Sequence, residues 1–531
     1  MTRQNADGRR GSVGSGAPVS LASGGSTATG PRHARRPGRR GFGATLALTV
    51  VGALLPGSAF LMAGRRRLGA LTLLVFLLLV GGGIWLSTGG RRIAVRAAVD
   101  TDVLLWSVGA LALVTLLWIV VVIAGYRGLA PPVSPGRHVI GGLLVALLVL
   151  GVAGVGVVAG RLLLAQRDLI VGVFAEDGRS ATVAEDVNPF GSQDRVNVLL
   201  LGGDGGAGRE GVRTDTVIVA SIDTESGDTT LFSLPRNLED LPFPADSPLA
   251  EVYPDGFDAG SESESLLNAV YRNGPAQHPD VLGPTDNPGA DFLKLGVGEA
   301  LGLHLDYYVL VNLEGFSRLV DALGGVTVNV NYYVPINGDP GTGQLPDDYI
   351  APGPHQHLDG NLALQFARGR FGLTDYDRMA RQRCTIDAII DAAQPGTLLR
   401  HYQELASTTQ DIVSTDVPRS VLDDFVDLGF LVKEADVRSV VFDETVISPA
   451  YPDYDLMRRL VRDALVPPAP QPAPAEDDPQ STAPAPTAAP AAPAAPAAPT
   501  SPATDVADAC AYDPVQAEAA LARGKPPIRS R

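Results

Sequence analysis

Two clusters of arginine and aspartate, far apart in the chain, contain the residue types best suited to chemistry. The first spans residues 196–237 and the second spans residues 366–382. Carboxylates at the ends of strands suit a hard divalent cation, and planar guanidinium groups suit the oxygens of a phosphate. Together the two clusters predict a binding site for a diphosphate.

The first cluster contains two aspartates that could share a cation. Asp204 follows the apolar run 197–201 through two glycines, so its carboxylate is expected at the C-terminal end of a strand, where α/β sheets place ligands. Asp215 opens the next β-rich run, after Arg213 and Thr214. Neighbouring strands would bring both carboxylates to one cation, although either aspartate alone would be an ordinary turn residue.

The second cluster contains four arginines that would face one another. Arg368 and Arg370 would lie on one side of the chain if their segment is extended, and Arg378 and Arg381 share one face of a helix. Guanidinium groups that converge without acidic partners repel, so a bound anion is their natural counter-charge.

Each arginine also has a purely structural interpretation. Asp375 and Asp377 belong to the same cluster and could neutralise its positive charge. Arg236 follows Pro235 at the end of a third predicted strand, where it could form a surface salt bridge instead of binding phosphate.

These motifs resemble those of the LytR-CpsA-Psr (LCP) proteins of bacterial cell envelopes. The resemblance covers roughly residues 193–465. No single motif is specific for the family, but the occurrence of all the motifs in the family's order is specific. The further shared pieces are Asp306-Tyr307-Tyr308, Phe316, Asp321-Ala322-Leu323-Gly324-Gly325-Val326 and His357-Leu358-Asp359-Gly360. One departure is Asn237, which stands where the family usually has aspartate after the Pro-Arg pair.

The resemblance implies an activity and a role for each residue. The protein would transfer a glycan phosphate from a polyprenyl-diphosphate-linked glycopolymer to a peptidoglycan sugar hydroxyl, releasing polyprenyl phosphate from an apolar cleft that holds the prenyl tail. Asp204 and Asp215 would bind Mg²⁺. The arginines that would neutralise the leaving phosphate are Arg236, Arg368, Arg370 and Arg378, and the residues that would orient them are Arg213, Arg381 and Gln382. The alternatives are a polyprenyl-diphosphate hydrolase and a non-catalytic membrane regulator of envelope synthesis.

The charge distribution predicts a membrane setting. The formal net charge is −16 for 531 residues, yet residues 1–40 carry eight arginines and one aspartate. A basic segment before apolar stretches is typical of the cytosolic side of a membrane protein. We interpret residues 1–41 as a disordered basic cytosolic tail. A nucleic-acid-binding arm is the alternative, but we expect no nucleic-acid partner.

Four apolar stretches in the region 42–164 are each long enough to cross a bilayer. Arginines flank the stretch 42–63 on both sides, and Pro56-Gly57 interrupts it, so we interpret it as a re-entrant or interfacial segment. The other three, at 68–87, 103–125 and 139–163, are predicted transmembrane helices. Three crossings from a cytosolic start would place the catalytic domain outside the cell. Arg91, Arg92 and Arg96 are unfavourable for this topology, because it places them externally.

The remaining chain divides by composition. Residues 165–192 are predicted to be a juxtamembrane linker, and residues 193–465 alternate between β-rich and helical patterns, which predicts an α/β domain with a mixed central sheet and helices on both faces. Residues 466–504 form a Pro/Ala-rich linker, followed by a tail at 505–531. Cys384 and Cys510 either form a disulfide outside the cell or remain separate thiols.

Overall fold

The computed structural model describes residues 41–129, 135–174, 179–183, 190, 193–204, 212–393, 413–466 and 503–529. Residue 41 is the one described residue of the predicted basic tail. Most of the predicted Pro/Ala-rich linker also lies outside these ranges.

Among the described residues, six helices precede the α/β domain. They are α1 (Phe42–Leu54), α2 (Ser58–Met62), α3 (Arg66–Thr88), α4 (Arg91–Val99), α5 (Thr101–Leu129) and α6 (Pro135–Val173). Helices α3, α5 and α6 are long and apolar enough to cross a membrane. The helix break between α1 and α2 contains Gly57, whose φ of 102° is accessible to glycine at little cost. Helix α6 continues to Val173, into the stretch that the sequence predicted to be linker.

Among the described residues, seven strands form the central sheet and four more form two small sheets. The strands are β1 (Arg195–Gly203), β2 (Thr214–Asp223), β3 (Thr229–Leu234), β4 (Tyr307–Asn312), β5 (Val326–Val330), β6 (Val334–Ile336), β7 (Asp348–Ile350), β8 (Gly353–Leu358), β9 (Val413–Thr415), β10 (Val437–Val441) and β11 (Thr504–Asp505). The central order is β11-β10-β3-β2-β1-β4-β9, and β5 pairs with β8 and β6 with β7. Strand β1 is antiparallel to β2 and parallel to β4, so the sheet is mixed.

The helices of the domain lie on both faces of this sheet, which confirms the predicted fold class. They are α7 (Pro248–Val252), α8 (Glu262–Ser265), α9 (Leu267–Gln277), α10 (Pro288–Leu301), α11 (Leu313–Ala322), α12 (Gly360–Arg368), α13 (Asp375–Ala392), α14 (Leu422–Val432), α15 (Tyr454–Leu465), α16 (Val506–Ala509) and α17 (Pro514–Arg523).

The alternation of side chains along β1 separates the two faces. Leu199 and Leu201 are buried in the main core, which also contains Phe292 of α10 and Val461 of α15. Leu200 points to the opposite face, as the two-residue period of a strand requires. Ile386 of α13 packs on that second face, which carries the candidate site.

The C-terminal tail returns to the domain and adds a strand to its sheet. Strand β11 pairs antiparallel with β10. Cys510 forms a disulfide with Cys384 of α13, with 5.6 Å between their Cα atoms. The side chain of Asn329 donates to the carbonyl of Cys510 at 3.0 Å, and that of Asn331 donates to the carbonyl of Ala511 at 3.2 Å. The structure therefore decides the open question of cysteine pairing in favour of a bond.

Candidate active site

An apolar cleft lies between the second face of the central sheet and helices α11, α12 and α13. Its volume is about 360 Å³. The apolar lining consists of Leu200, Leu201, Ile218, Val309, Val311, Leu313, Phe316, Leu319, Leu364, Ala367, Ile386, Ile389 and Ile390. Such a lining suits a hydrocarbon chain, because burying it removes apolar surface of both partners from water.

One end of the cleft, called the mouth below, is polar. The residues that line the mouth are Asp204, Asp215, Thr216, Arg368, Arg370, Arg378 and Gln382. Six of the nine residues predicted for the site are among them. The remaining three, Arg213, Arg236 and Arg381, lie outside the cleft lining.

The two aspartates lie at the ends of neighbouring strands. Asp204 follows β1, and Asp215 is the second residue of β2, whose Thr214 pairs with Gly203 of β1. The backbone N–H of Arg213 donates to Oδ1 of Asp204 at 2.9 Å, and the N–H of Asp204 donates to the carbonyl of Arg213 at 3.1 Å. These two bonds close the connection between the strands and bring both carboxylates to the mouth.

Asp215 is held in its ionised form. Burial raises its pKa, but the positive charges of Arg236 and Arg378 and a hydrogen bond from Asn268 outweigh that effect, so the pKa lies below its ordinary value of 3.8. Arg236 donates to Oδ1 of Asp215 at 3.0 Å, and Asn268 donates to the same oxygen at 3.3 Å. The carboxylate is therefore negative at neutral pH.

Three of the arginines share one acid, Asp375. Its carboxylate lies 2.8 Å from Arg378, 3.4 Å from Arg236 and 3.7 Å from Arg370. The interpretation in which an aspartate neutralises the cluster is therefore correct for Asp375. It does not hold for Asp377, which accepts hydrogen bonds from the N–H and hydroxyl of Thr374 in a capping box at the start of α13.

Arg378 is the most buried member of this group. It is 3% exposed, and its NH1 donates to the carbonyl of Asp215 at 2.7 Å. Burial lowers the pKa of its guanidinium from the ordinary value, while Asp375 and Asp215 partly offset that shift. An arginine stays protonated under these conditions. Its buried Nε has no hydrogen-bond partner among the described residues. A buried donor without a partner is costly, so an anionic ligand at the mouth would stabilise this arrangement.

The segment of Arg368 and Arg370 is not fully extended, so the condition under which both would lie on one side of an extended chain is not met. Arg368 is the last residue of α12, Gly369 is the C-cap, and Arg370 lies in the turn that follows. Both side chains still line the mouth. The helix persists to Arg368 because Asp359 caps its N-terminus and the apolar residues of α12 pack into the core of the small sheets.

Arg381 holds this turn in place. It is 4% exposed, and its Nε donates to the carbonyl of Phe366 at 2.7 Å. Its NH2 donates to the carbonyl of Gly369, and its NH1 donates to the hydroxyl of Tyr332 at 2.9 Å. All three nitrogens thus contact protein, which makes Arg381 a support for Arg368 and Arg370.

Arg213 and Gln382 also have protein partners. Arg213 pairs with Glu264 at 2.6 Å, and Arg272 contacts the other oxygen of that carboxylate. Gln382 lines the mouth and donates to the hydroxyl of Thr216 at 2.8 Å. Arg213 therefore lies beside the mouth in a second charged group, whereas Gln382 is part of the mouth itself.

Two residues beside the site, Glu264 and Asn268, were missed from the sequence. The chain around α8 and α9 contains no recognisable motif and reaches Arg213 and Asp215 only through the tertiary fold. Asp375 was considered from the sequence, because it lies three residues before Arg378 on one helix and such pairs face each other.

The mouth fits a magnesium ion bound together with a phosphate. Its two cleft-lining aspartates supply the oxygen ligands that Mg²⁺ prefers, and Mg²⁺ is commonly bound by one or two carboxylates plus substrate phosphates. Within the described residues no group of three or more His, Cys, Asp or Glu side chains could hold a metal. A cation held by these two aspartates would take its remaining oxygen ligands from the bound phosphate or from water.

Fold and site define an α/β protein with membrane-length helices and a cleft suited to an amphiphilic anion. Residues 174–448, slightly more than half of the chain, match the LytR-CpsA-Psr family, and the chain belongs to this family. It is 29% identical over 233 residues to an *Enterococcus faecalis* protein named polyisoprenyl-teichoic acid–peptidoglycan teichoic acid transferase TagU, covering 43% of this chain and 63% of that protein.

Another relative is the probable cell wall biosynthesis protein LcpB of *Corynebacterium glutamicum*, which is 29% identical over 268 residues, covering 50% of this chain and 53% of that protein. The chain thus spans less than two thirds of either relative. The crystal structure of *Bacillus subtilis* TagV is 22% identical, has a TM-score of 0.35, and covers 51% of this chain and 95% of TagV.

Proposed function

We propose that the protein is a membrane-anchored glycopolymer transferase. It takes a polyprenyl-diphosphate-linked glycan and transfers the glycan phosphate to a sugar hydroxyl of peptidoglycan. The observation that carries this proposal is the continuity of the apolar cleft with a mouth of arginines and aspartates, which matches the two chemical halves of a prenyl diphosphate. The name of the *Enterococcus faecalis* relative, a transferase that joins a polyisoprenyl-linked polymer to peptidoglycan, supports the same reaction.

The reaction exchanges the phosphoanhydride bond of the diphosphate for a phosphate ester to the acceptor sugar. The acceptor hydroxyl oxygen attacks the phosphorus next to the glycan, the bond from that phosphorus to the bridging oxygen breaks, and polyprenyl phosphate leaves with the bond's electron pair. The hydroxyl proton passes to solvent or to a base, which the sequence did not assign. Positioning and charge stabilisation account for most of the catalysis in phosphoryl transfer, so few covalent tasks remain for side chains.

The residues of the mouth divide these tasks. Arg368, Arg370 and Arg378 would bind the phosphate oxygens, and Arg378 would gain the partner that its Nε lacks. Arg236 would add positive charge from the side of Asp215 and Asp375. These guanidinium groups are suited to neutralising the charge that develops on the leaving phosphate.

Asp204 and Asp215 are the residues that would hold Mg²⁺. The bound cation would neutralise phosphate charge and polarise the diphosphate. The two carboxylates would also keep the mouth from becoming too positive in the absence of substrate. Gln382 and Thr216 lie in the same lining and would fix the distance between α13 and β2.

The proposed topology places the domain outside the cell. Helices α3, α5 and α6 would provide three crossings from a cytosolic start. Two of the three arginines that were unfavourable for this arrangement have partners in the α/β domain, because Arg96 pairs with Asp427 and Arg92 lies over the ring of Phe430. A disulfide between Cys384 and Cys510 also suits an oxidising exterior.

The decisive experiment measures both products. The full chain is reconstituted in vesicles with a polyprenyl-diphosphate disaccharide, Mg²⁺ and a peptidoglycan oligosaccharide, and mass spectrometry follows polyprenyl phosphate and the phosphorylated acceptor. We expect both to form in equal amounts. Polyprenyl phosphate formed at the same rate without acceptor, together with free glycan phosphate, would instead identify a hydrolase. Absence of any turnover, with lipid still bound, would favour the regulator.

A further inference from the structure

The cleft and the contact between the domain and the membrane helices occupy one face of the sheet. On β1, Val196 and Val198 pack in a cluster with Leu104 of α5 and Ile170 of α6, called the membrane-contact cluster below. Two residues further, Leu200 lines the cleft and also packs against this cluster. The strand therefore runs from the membrane helices directly into the cleft.

Strand β4 repeats this arrangement. Tyr307 belongs to the membrane-contact cluster, Val309 packs against the cluster and lines the cleft, and Val311 lines the cleft nearer the mouth. Because β1 and β4 are parallel, both strands begin at the membrane helices and end at the mouth. The mouth is thus the end of the cleft that lies farthest from those helices.

Helix α13 forms the opposite wall of the cleft and runs from the mouth to the other end. Arg378 lies at the mouth and Ile390 lines the other end of the cleft. At about 1.5 Å per residue these two positions are roughly 18 Å apart. Lys433, which follows α14, donates to the carbonyls of Ile390 at 3.2 Å and Ala393 at 3.1 Å. This end of the cleft lies opposite the mouth and is named the tail end, because it would hold the end of a prenyl chain. It therefore lies beside the C-terminal end of α14.

The same end of α14 contacts α4, the short helix between α3 and α5. Arg96 of α4 donates through Nε to Asp427 at 3.0 Å, and Arg92 lies 5.3 Å from the ring centre of Phe430. Gln166 of α6 donates to the carbonyl of Ala98 at 2.8 Å, which joins α4 to the third membrane-length helix.

We propose that α4 docks the catalytic domain so that the tail end of the cleft opens at the bilayer surface, with Arg96 and Asp427 as positioning residues. A prenyl chain can then pass from the bilayer into the cleft while its diphosphate reaches the mouth. This inference rests on the proposed function for the identity of the ligand. It adds the route of the lipid and the residues that fix the orientation of the domain.

The magnitude of each contact decides which variant is informative. The Arg96–Asp427 pair is partly exposed, with side-chain exposures of 46% and 35%. Its loss alone should therefore disturb the docking only slightly, because solvent screens exposed ion pairs. The membrane-contact cluster supplies additional docking through apolar burial. Reversing the charge at position 96 is more disruptive than removing it, because a glutamate there would face Asp423, Asp424 and Asp427, which all interact with Arg96.

The experiment separates delivery of the lipid from its binding in the mouth. The full chain in phosphatidylglycerol vesicles is titrated with a fluorescent long-chain polyprenyl phosphate, and in detergent with a water-soluble short-prenyl phosphate. The variants are Arg96→Glu, the charge swap Arg96→Glu/Asp427→Arg, and the control Arg91→Glu. Arg91 lies on the same helix and donates to the carbonyl of Ser87.

We expect Arg96→Glu to weaken binding of the long-chain probe in vesicles on the order of tenfold. This corresponds to a variant in which only about a tenth of the molecules keep the orientation that binds the lipid. Binding of the short probe should not change, the swap should restore the long-chain affinity, and Arg91→Glu should behave as wild type. Unchanged long-chain binding in Arg96→Glu would overturn the inference. Equal weakening for both probes, or failure of the swap to restore affinity, would also overturn it by showing a merely structural role.

Binding needs no turnover, so the two proposals fail separately. A wild-type protein that binds the long-chain probe and shows the Arg96 dependence, yet transfers no glycan, would refute the transferase and retain the docking. The docking alone would be refuted by a different pair of results. In that case the wild-type protein transfers glycan, and the Arg96→Glu variant binds and turns over the lipid normally in vesicles.

Discussion

The NH1 of Arg378 donates to the backbone carbonyl of Asp215 at 2.7 Å, across 163 residues of sequence. This bond joins the second arginine cluster to the strand that carries the carboxylates of the first. Because Arg378 also pairs with Asp375, one buried guanidinium connects α13 to β2 at the mouth of the cleft. If Arg378 binds the phosphate as proposed, ligand binding and the position of α13 should be coupled through this side chain.

The two aspartates of the mouth should be required for magnesium dependence. Asp204→Asn and Asp215→Asn should each reduce Mg²⁺-dependent turnover on the order of a hundredfold or more, because the cation loses a charged ligand and the phosphates then lose the cation. The Asp215–Arg236 pair is about a third exposed, with exposures of 36% and 30%, so unfolding should change by no more than about 1 kcal/mol. A magnesium titration of turnover, with thermal unfolding alongside, checks both values.

Asp223→Asn is the matched control, because Asp223 lies at the other end of β2. Normal turnover in both Asp204→Asn and Asp215→Asn would remove the metal from the proposal.

Catalysis should depend on the planar guanidinium groups of the two arginines in the turn between α12 and α13. Arg368→Lys and Arg370→Lys keep the charge but lose bidentate geometry, and each should lose about 1.5–3 kcal/mol of transition-state stabilisation per charged hydrogen bond. Steady-state kcat/KM with the polyprenyl-diphosphate substrate measures this loss. Arg318→Lys is the control, since Arg318 pairs with Glu314 on one exposed helix face.

Two aspartates distinguish a phosphate site from an internal salt-bridge network. Asp377→Ala should weaken the start of α13 by about 1 kcal/mol through loss of its capping box, with little effect on the arginines. Normal activity in both lysine variants, combined with a large loss of stability in Asp375→Asn, would mean that this cluster only maintains the fold.

Arg381 should affect stability as much as activity. Arg381→Met leaves the carbonyls of Phe366 and Gly369 without their donor. We expect the free energy of unfolding to fall by roughly 3 kcal/mol. Denaturant unfolding of the detergent-solubilised chain measures this difference. Unchanged stability with abolished turnover would place Arg381 on the substrate.

The disulfide should stabilise the tail on the domain. Reduction, or Cys384→Ser, should lower the free energy of unfolding by up to about 4 kcal/mol, because the bond closes a long loop in the unfolded chain. Thermal unfolding with and without reductant measures the effect, and the double variant Cys384→Ser/Cys510→Ser should no longer respond. Two free thiols in the untreated wild-type protein would contradict the bond.

The topology has a direct test by reporter fusion. Fusions at residues 66 and 132 should report the cytosol, and a fusion at residue 180 should report the exterior, because arginines precede and follow α1 and α2 while three long helices separate the termini of the region. A cytosolic signal at residue 180 would overturn both the localisation and the proposed reaction.

Local sequence determined the elements that carry the site. The apolar run before Asp204 is a strand because it alternates between two buried faces, and the helical pattern at the second cluster is α13. Both patterns depend on neighbours in sequence, so their period is readable without a structure. The same holds for α3, α5 and α6, whose length and apolar composition suffice. The family motifs placed Asp204, Asp215 and Arg378 together in advance.

The tertiary structure decided which charges meet. Asp375 rather than Asp377 faces the arginines, because Asp377 is used by the helix cap. Arg381 points to main-chain carbonyls although it shares a helix face with Arg378. Glu264 reaches Arg213 from a segment without any motif. These partners are set by contacts between distant segments, and composition and periodicity contain no information about such distances.

The direction of the cleft was also decided only by the fold. The sequence placed Arg91, Arg92 and Arg96 outside the membrane and gave them no partner in the α/β domain. Packing of α4 on α14 gives Arg96 its acid and sets the tail end of the cleft beside the membrane helices. The physical reason is that the Arg96–Asp427 contact joins residues 331 positions apart in the chain, and only the assembled domain brings them together.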